Sequence, residues 1–168
     1  MPLKAVIFDR DGTLNDGSGY YVTHHEQLVL LPGVKEALHL LSANNIKIFV
    51  WTQQSCIGKG LLTEEGLQEI HTHMQNLLSP AKIEGFYHCP HTEEDNCTCR
   101  KPKAGLLEDI LAEHGLNPHE VSVVGDSERD AAAAQTAGLE FYYVRSSKTP
   151  KDAKRVVDNL LELVRGMV

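Results

Sequence analysis

Short apolar runs alternate with longer amphipathic stretches along the chain. The apolar runs are rich in β-branched and aromatic residues and end in polar residues or glycine, which is typical of buried strands. They predict strands over residues 3–8, 46–51, 85–88, 121–124 and 139–144. The amphipathic stretches predict helices after Pro32-Gly33, over 63–78, 104–113 and 127–136, and from Pro150 onwards. Strands that alternate with helices favour a parallel sheet covered on both faces, which is a doubly wound α/β fold.

The segment over residues 14–31 departs from this alternation. Its mixed polar and aromatic residues, with Gly17 and Gly19 among them, predict an irregular flap rather than a helix or strand. The segment is too short to hold a large cap domain. We therefore expect a site that is screened by short loops.

Composition narrows the class of protein. The chain has 168 residues, 42% hydrophobic and 23% charged, which suits a single globular domain over residues 1–168. The apolar runs are too short to cross a bilayer, and the first residues lead into a predicted strand with no signal-peptide pattern. We expect a cytoplasmic protein with no membrane partner, more readily a monomer than an oligomer.

The net charge argues against a nucleic-acid partner. Lys and Arg number 16 against 23 Asp and Glu, a formal net charge of −7. An acidic chain repels a nucleic-acid backbone unless it carries a local basic stripe. The densest basic cluster is Arg100, Lys101 and Lys103, which suffices for one or two phosphates but not for a duplex.

Polar clusters follow three of the predicted strands directly. They are Asp9 with Asp11, residues 52–55, and the stretch from Gly125 to Asp130. The carboxyl ends of parallel strands share one edge of the sheet, so the three clusters are expected to meet there. Asp9, Asp11 and Asp126 would then form an oxygen-rich site suited to Mg²⁺.

Three of the four cysteines lie close together in the sequence. Cys89, Cys97 and Cys99 fall within eleven residues, beside His91. Three thiolates and one imidazole form a closed tetrahedral ligand set for structural Zn²⁺. Such a metal would hold the loop over residues 89–99 and the lysine and arginine that follow it. Cys56 lies outside this set and is expected to pack rather than react.

The motifs FDRDGTLN and GDSERD, with Thr52 and Lys101 between them, resemble those of the haloacid dehalogenase superfamily of phosphohydrolases. The resemblance implies a Rossmannoid fold and hydrolysis through an aspartyl-phosphate. It implies that Asp9 is the nucleophile and Asp11 the general acid and base. It also implies that Thr52 and Lys101 hold phosphoryl oxygens, and that Mg²⁺ is bound by Asp9, Asp126 and the backbone carbonyl of Asp11.

Within that superfamily, CPHTEEDNCTCRKPK resembles the zinc-loop branch, which contains heptose 1,7-bisphosphate phosphatases and histidinol-phosphate phosphatases. TQQSCIGKG is similar to the heptose enzymes' T-N-Q-S-G-I-x-R-G, whereas RKPK is shared with the histidinol enzymes. The chain departs from the branch at Gln53, where Asn is usual, at Cys56, where Gly is usual, and at Ser127, where the heptose enzymes carry Lys. A heptose 1,7-bisphosphate 7-phosphatase is the favoured reading, and a histidinol-phosphate phosphatase is the alternative.

The heptose reading implies a set of substrate contacts. They are Gly17, Ser18, Gly19, Tyr20, Gln53, Gln54, Ser55, Arg100 and Ser127, where Arg100 would clamp a second phosphate or sugar hydroxyls. His71 and His73 fall on the polar side of a predicted helix, so we expect both to be exposed to solvent. Two rival functions stay open: a zinc-stabilised interaction module with an inactive phosphatase site, and a nucleic-acid 3′-phosphatase.

Overall fold

The computed structural model describes residues 2–17 and 19–168, and within them six strands form one parallel sheet. The strands are β1 (Ala5–Asp9), β2 (Lys47–Gln53), β3 (Ile83–Cys89), β4 (Val121–Gly125), β5 (Glu140–Val144) and β6 (Val156–Val157). Their order in the sheet is β3-β2-β1-β4-β5-β6. The order reverses between β1 and β4, where folds of this kind open a crevice for ligands. The prediction of a doubly wound parallel sheet is confirmed.

Helices cover both faces of the sheet. They are α1 (Val34–Ala43), the single turn α2 (Ser55–Gly58), α3 (Glu64–Leu78), α4 (Gly105–His114), α5 (Glu128–Thr136) and α6 (Leu160–Met167). Side-chain caps fix where several of them begin. The Thr63 hydroxyl accepts a hydrogen bond from the Gly66 amide at 3.0 Å, and the side-chain Oδ1 of Asn159 accepts one from the Leu161 amide at 2.9 Å. Each such cap typically contributes about 1 kcal/mol.

The core has two layers because successive strand residues point to opposite faces. Val6 and Phe8 of β1 pack in the layer that contains α1, α3 and α6, whereas Ala5 and Ile7 pack in the layer that contains α4 and α5. All four side chains are fully buried. At about 1.5–3 kcal/mol for each large apolar side chain, burial on both faces fixes β1 at the centre of the sheet.

Two elements differ from the sequence expectations. The helix expected from Pro150 begins at Leu160 instead, because residues 156–157 pair with β5 as a sixth strand. The flap over residues 14–31 contains a 3-10 helix, His25–Gln27, and Asn15 forms a β-bridge with Leu30. The described part of the flap is therefore more regular than the sequence suggested.

The described residues contain no large cap domain, in agreement with the expectation from the sequence. None of the helices in residues 2–17 and 19–168 is both long and apolar enough to cross a bilayer.

Candidate active site

Four ionisable side chains from three parts of the chain meet at the carboxyl edge of the sheet. Asp9 ends β1, Asp126 follows β4, Asp130 lies in the first turn of α5, and Lys101 follows β3 by a loop. The Lys101 ammonium donates to Asp9 Oδ1 at 2.7 Å and lies 2.8 Å from Asp130 Oδ1. All four side chains are at least nine-tenths buried. The predicted convergence of Asp9, Asp126 and Lys101 is observed, and Asp130 joins them.

Burial and mutual repulsion dominate the electrostatics of this cluster. Burial and the charges of Asp130 and Asp126 raise the pKa of Asp9 well above its usual range, although Lys101 acts in the opposite direction. Burial alone would lower the pKa of Lys101, but the carboxylates of Asp130 and Asp9 raise it. The ammonium also lies 3.6 Å from the centre of the Trp51 ring, a favourable cation–π distance. Lys101 is therefore charged, and three acidic side chains lie around this single positive charge.

The donor set fits a hard divalent cation. Carboxylate oxygens of Asp9, Asp126 and Asp130 lie within 4.8 Å of one another, and one ammonium does not neutralise three carboxylates. Oxygen ligands in a site with excess negative charge are those that Mg²⁺ prefers.

Neighbouring groups fix Asp126 in place. The Ser146 hydroxyl donates to Asp126 Oδ2 at 2.6 Å, and the Thr149 hydroxyl donates to the Asp126 carbonyl at 2.7 Å. On the other side is Gly12, whose φ of +89° favours glycine and whose missing Cβ would lie 2.2 Å from Asp126 Oδ2. A glycine at position 12 is therefore required by backbone conformation and by space.

Asp11 occupies a separate environment. Its Oδ1 accepts hydrogen bonds from Arg10 Nε at 3.1 Å and from Asn15 Nδ2 at 2.9 Å. Its Oδ2 accepts from Arg10 Nη2 at 3.2 Å and from Gln54 Nε2 at 3.0 Å. Burial alone would raise the pKa of Asp11, but the Arg10 charge and these hydrogen bonds lower it. The Asp11 carboxylate thus lies outside the Asp9, Asp126 and Asp130 set, and its predicted Mg²⁺ contact through the backbone carbonyl stays a prediction.

Gln54 joins two of the predicted catalytic residues. Its side-chain amide donates to Thr52 Oγ1 at 2.8 Å as well as to Asp11 Oδ2. The residue is only 2% exposed and lies beneath the site. The structure therefore places Gln54 as a support for Thr52 and Asp11, rather than on the cavity wall where a substrate contact was predicted.

A cavity of about 500 Å³ opens above these residues. Among the predicted substrate contacts, its lining includes Gly17, Gly19, Tyr20, Gln53, Ser55, Arg100 and Ser127. Ser18 lies outside the described residues. The lining also includes three cationic residues that sequence reasoning missed, Lys59, Arg129 and Lys148. The cavity thus combines acids at its base with basic groups along its walls.

The predicted zinc ligands converge on one point. Cys89 Sγ lies 3.0 Å from Cys99 Sγ and 3.6 Å from Cys97 Sγ, and His91 Nδ1 lies 3.2 Å from Cys99 Sγ. None of these cysteines is in a disulfide. The mutual separations suit four donors around a single ion, and the Cys₃His set is one that structural Zn²⁺ uses. The residues therefore fit zinc.

Gln53 links this loop to Lys101. Its amide nitrogen donates to the carbonyls of Cys89 and His91, both at 3.2 Å, and its carbonyl accepts from the Lys101 amide at 3.3 Å. Arg100 Nη1 also donates to the His91 carbonyl at 3.2 Å. Hydrogen bonds from Gln53 therefore connect strand β2 both to the loop over residues 89–99 and to the backbone of Lys101.

The expectation that His71 is exposed is wrong. His71 is 6% exposed, and its ring is stacked on Phe86 with centroids 4.3 Å apart. Arg10, which the sequence left without a role, is fully buried, and its Nη1 lies 3.1 Å from His71 Nε2. The helical spacing of Leu67, His71 and Met74 places His71 beside the apolar face of α3, so the signal was present in the sequence.

Comparison with known proteins gives one consistent family. A model described as HAD-hydrolase-like matches residues 98–163. D-glycero-beta-D-manno-heptose-1,7-bisphosphate 7-phosphatase of Neisseria meningitidis serogroup A is 37% identical over 151 residues, which cover 89% of this chain and 81% of that protein. The protein of the same name from Haemophilus ducreyi is 34% identical over 179 residues, which cover 98% of each chain.

A solved structure extends the likeness to three dimensions. The crystal structure of D,D-heptose 1,7-bisphosphate phosphatase from B. bronchiseptica, complexed with magnesium and phosphate, has a TM-score of 0.88 to this chain. The two are 29% identical, and the match covers 98% of each chain. The similarity therefore spans the sheet, the cysteine loop and the site at the sheet edge.

Proposed function

This chain belongs to the D-glycero-beta-D-manno-heptose-1,7-bisphosphate 7-phosphatase family of HAD-like hydrolases, and on that premise we propose that it removes the 7-phosphate of D-glycero-D-manno-heptose 1,7-bisphosphate. The resemblance inferred from the motifs is thereby confirmed at the level of the family. The observation that carries the proposal is the buried group of Asp9, Lys101 and Asp126, which opens into a cavity of about 500 Å³ with cationic walls.

Asp9 is the proposed nucleophile. A carboxylate oxygen of Asp9 forms a bond to phosphorus while the bond from phosphorus to the sugar oxygen breaks, giving an aspartyl-phosphate and an alcohol. Lys101 Nζ donates to Asp9 Oδ1 at 2.7 Å and the Thr13 hydroxyl donates to Asp9 Oδ2 at 3.3 Å, so both oxygens of the nucleophile are held in place. Mg²⁺ would be held by Asp9, Asp126 and the Asp11 carbonyl, and when bound it offsets the repulsion between nucleophile and phosphate.

Asp11 is the proposed proton carrier. It gives a proton to the departing sugar oxygen, and it later takes one from the water that cleaves the aspartyl-phosphate. Arg10 and Gln54 lower its pKa in the free protein, which suits the second role. A phosphate dianion beside it adds negative charge and favours the protonated form that the first role needs.

Thr52 and Lys101 are proposed to hold the phosphoryl oxygens. Donors aimed at charge that grows in the transition state typically contribute about 2–4 kcal/mol each. Gln54 donates to Thr52 Oγ1, so the hydroxyl hydrogen of Thr52 is free to point to the substrate.

The cavity walls favour a bisphosphate over histidinol phosphate. Lys59, Arg100, Arg129 and Lys148 line the same cavity as the acids. Such a wall attracts a second phosphate, whereas it repels the ammonium group that histidinol phosphate carries near neutral pH. We therefore place heptose bisphosphate first and histidinol phosphate second. A structural Zn²⁺ at Cys89, His91, Cys97 and Cys99, a small soluble substrate and a cytoplasmic location complete the proposal.

The test is phosphate release by the purified protein with Mg²⁺, from heptose 1,7-bisphosphate and from histidinol phosphate. We expect the bisphosphate to give the higher kcat/KM, and Asp9→Asn to abolish release from both while its circular dichroism spectrum is unchanged. Asp109→Asn, an exposed carboxyl on α4, is the matched control and keeps full activity. Higher kcat/KM for histidinol phosphate would reverse the substrate order, and activity in Asp9→Asn would overturn the nucleophile.

A further inference from the structure

A buried arginine lies between the two aspartates of the first motif. Arg10 is fully buried, and its guanidinium makes contacts on both sides. On one side Nε and Nη2 donate to the Asp11 carboxylate at 3.0–3.2 Å. On the other side Nη1 lies 3.1 Å from Nε2 of His71. The guanidinium therefore connects Asp11 to a helix 61 residues further along the chain.

The hydrogen bond between Arg10 and His71 determines which ring nitrogen of His71 carries the proton. An arginine side chain has donors and no acceptor, so Nε2 of His71 must be the acceptor and its proton must sit on Nδ1. Burial and the Arg10 charge lower the pKa of His71 to about 3, which keeps the ring neutral and able to accept. The stack on Phe86 of β3, with an interplanar angle of 15°, fixes the orientation of the ring.

We propose that His71 is a positioning residue that orients the Asp11 carboxylate through Arg10. A planar guanidinium held at His71 presents its other edge to Asp11 at one angle, and Asn15 and Gln54 complete the hold on the same carboxylate. Proton transfer depends on that angle, since general acid catalysis needs hydrogen-bond geometry to the departing oxygen. The inference rests on the proposed function and deepens it, because it concerns the same reaction.

Two substrates with different leaving groups distinguish the loss of Asp11 orientation from a general effect on folding. A sugar alkoxide needs a proton as it departs, whereas p-nitrophenolate is a stable anion and departs without one. A displaced Asp11 therefore slows cleavage of the sugar ester more than cleavage of p-nitrophenyl phosphate. The ratio of kcat/KM for the two substrates is the correct readout, because kcat/KM does not include the later hydrolysis of the aspartyl-phosphate.

The experiment compares variants at positions 71 and 73 on heptose 1,7-bisphosphate and p-nitrophenyl phosphate. His71→Phe keeps an aromatic ring but removes the acceptor, and we expect the sugar-to-aryl ratio to fall by about 10- to 100-fold. His71→Gln restores an acceptor at the same reach and is expected to recover most of the ratio. His73→Phe, the matched control, makes the same replacement on the same helix at a ring that packs against His25, so both substrates should change by the same factor.

Each outcome has one meaning. Equal losses on both substrates in His71→Phe, or a His71→Gln variant no better than His71→Phe, would overturn the role of His71 alone. A wild-type protein inactive on both substrates would overturn the proposed function instead. If His71→Phe does not fold, His71→Leu decides: it also removes the acceptor and keeps the direct contact of Arg10 with Asp11, so the same selective loss is expected and its absence refutes the proposal.

Discussion

The buried neutral ring of His71 makes the stability of the protein depend on pH. An exposed histidine in the unfolded chain has a pKa near 6.5, whereas burial, the charge of Arg10 and that of His88 lower the folded-state pKa to about 3, against the weaker opposite effect of Asp11. The unfolded chain therefore binds a proton that the folded chain refuses. Stability from His71 is fully present above about pH 6.5 and is lost as the pH falls towards 3.

The magnitude follows from the two pKa values. Between pH 7 and pH 5, protonation of His71 stabilises the unfolded chain. The free energy of unfolding therefore falls by about 2 kcal/mol. Other groups titrate over the same interval, so the comparison is with His71→Gln and His71→Phe, in which nothing at this position takes a proton. Each variant is expected to lose about 2 kcal/mol less than the wild type does between these pH values.

Urea unfolding at pH 7 and pH 5 measures this difference directly. The imidazole resonances of His71 in the folded protein provide a second measurement, and they should not shift between pH 7 and pH 5. Equal pH dependence in the wild type and both variants, or a His71 resonance that titrates near pH 6.5, would refute the burial argument.

Three other changes test the site and its supports. Gly12→Ala places a Cβ against Asp126 at a φ that favours glycine, so kcat/KM should fall by about 100-fold. A fully active variant would show that Asp126 can move freely. Gln53→Ala removes three side-chain hydrogen bonds, two to the carbonyls of Cys89 and His91 and one from the Lys101 amide. The free energy of unfolding measured by urea titration should fall by about 1–3 kcal/mol. No change would contradict a stabilising role for these hydrogen bonds. Cys97→Ser should lower the zinc content measured by atomic absorption together with the melting temperature, whereas unchanged metal content would remove Cys97 from the ligand set.

Strands β1, β2 and β4 could be predicted from the sequence because nearly all of their residues are buried and most are apolar. The structure extends the predicted strand over residues 46–51 to Gln53 and the one over 121–124 to Gly125. Thr52 and Gln53 at the end of β2 line the cavity, which is why the apolar pattern ends before them. The strand over residues 156–157 is too short to show a periodicity, so the sequence from Pro150 onwards predicts one continuous helix.

The site was predictable where residues follow strands and less so where they act through others. Asp9 and Asp126 meet because both lie at strand ends on one edge of the sheet, as the sequence indicated, and Lys101 reaches them on the loop after β3. Gln54 and Arg10 point beneath the site, and a sequence pattern does not say on which side of a loop a side chain lies. His71 is predicted to be exposed from its place on the polar side of a helix, whereas the structure buries it beside its partner Arg10.

The position of β1 at the centre of the sheet has a consequence for biosynthesis. Strand β1 leaves the ribosome before β2 and pairs with it on one side, but its other edge waits for β4, which begins at Val121. At 5–20 residues per second, translation of the intervening segment takes about 6–20 s. During that time an apolar strand has an unpaired edge, which is a template for aggregation. Nascent chains stalled before Val121 should therefore need a chaperone, whereas chains released after β4 should not.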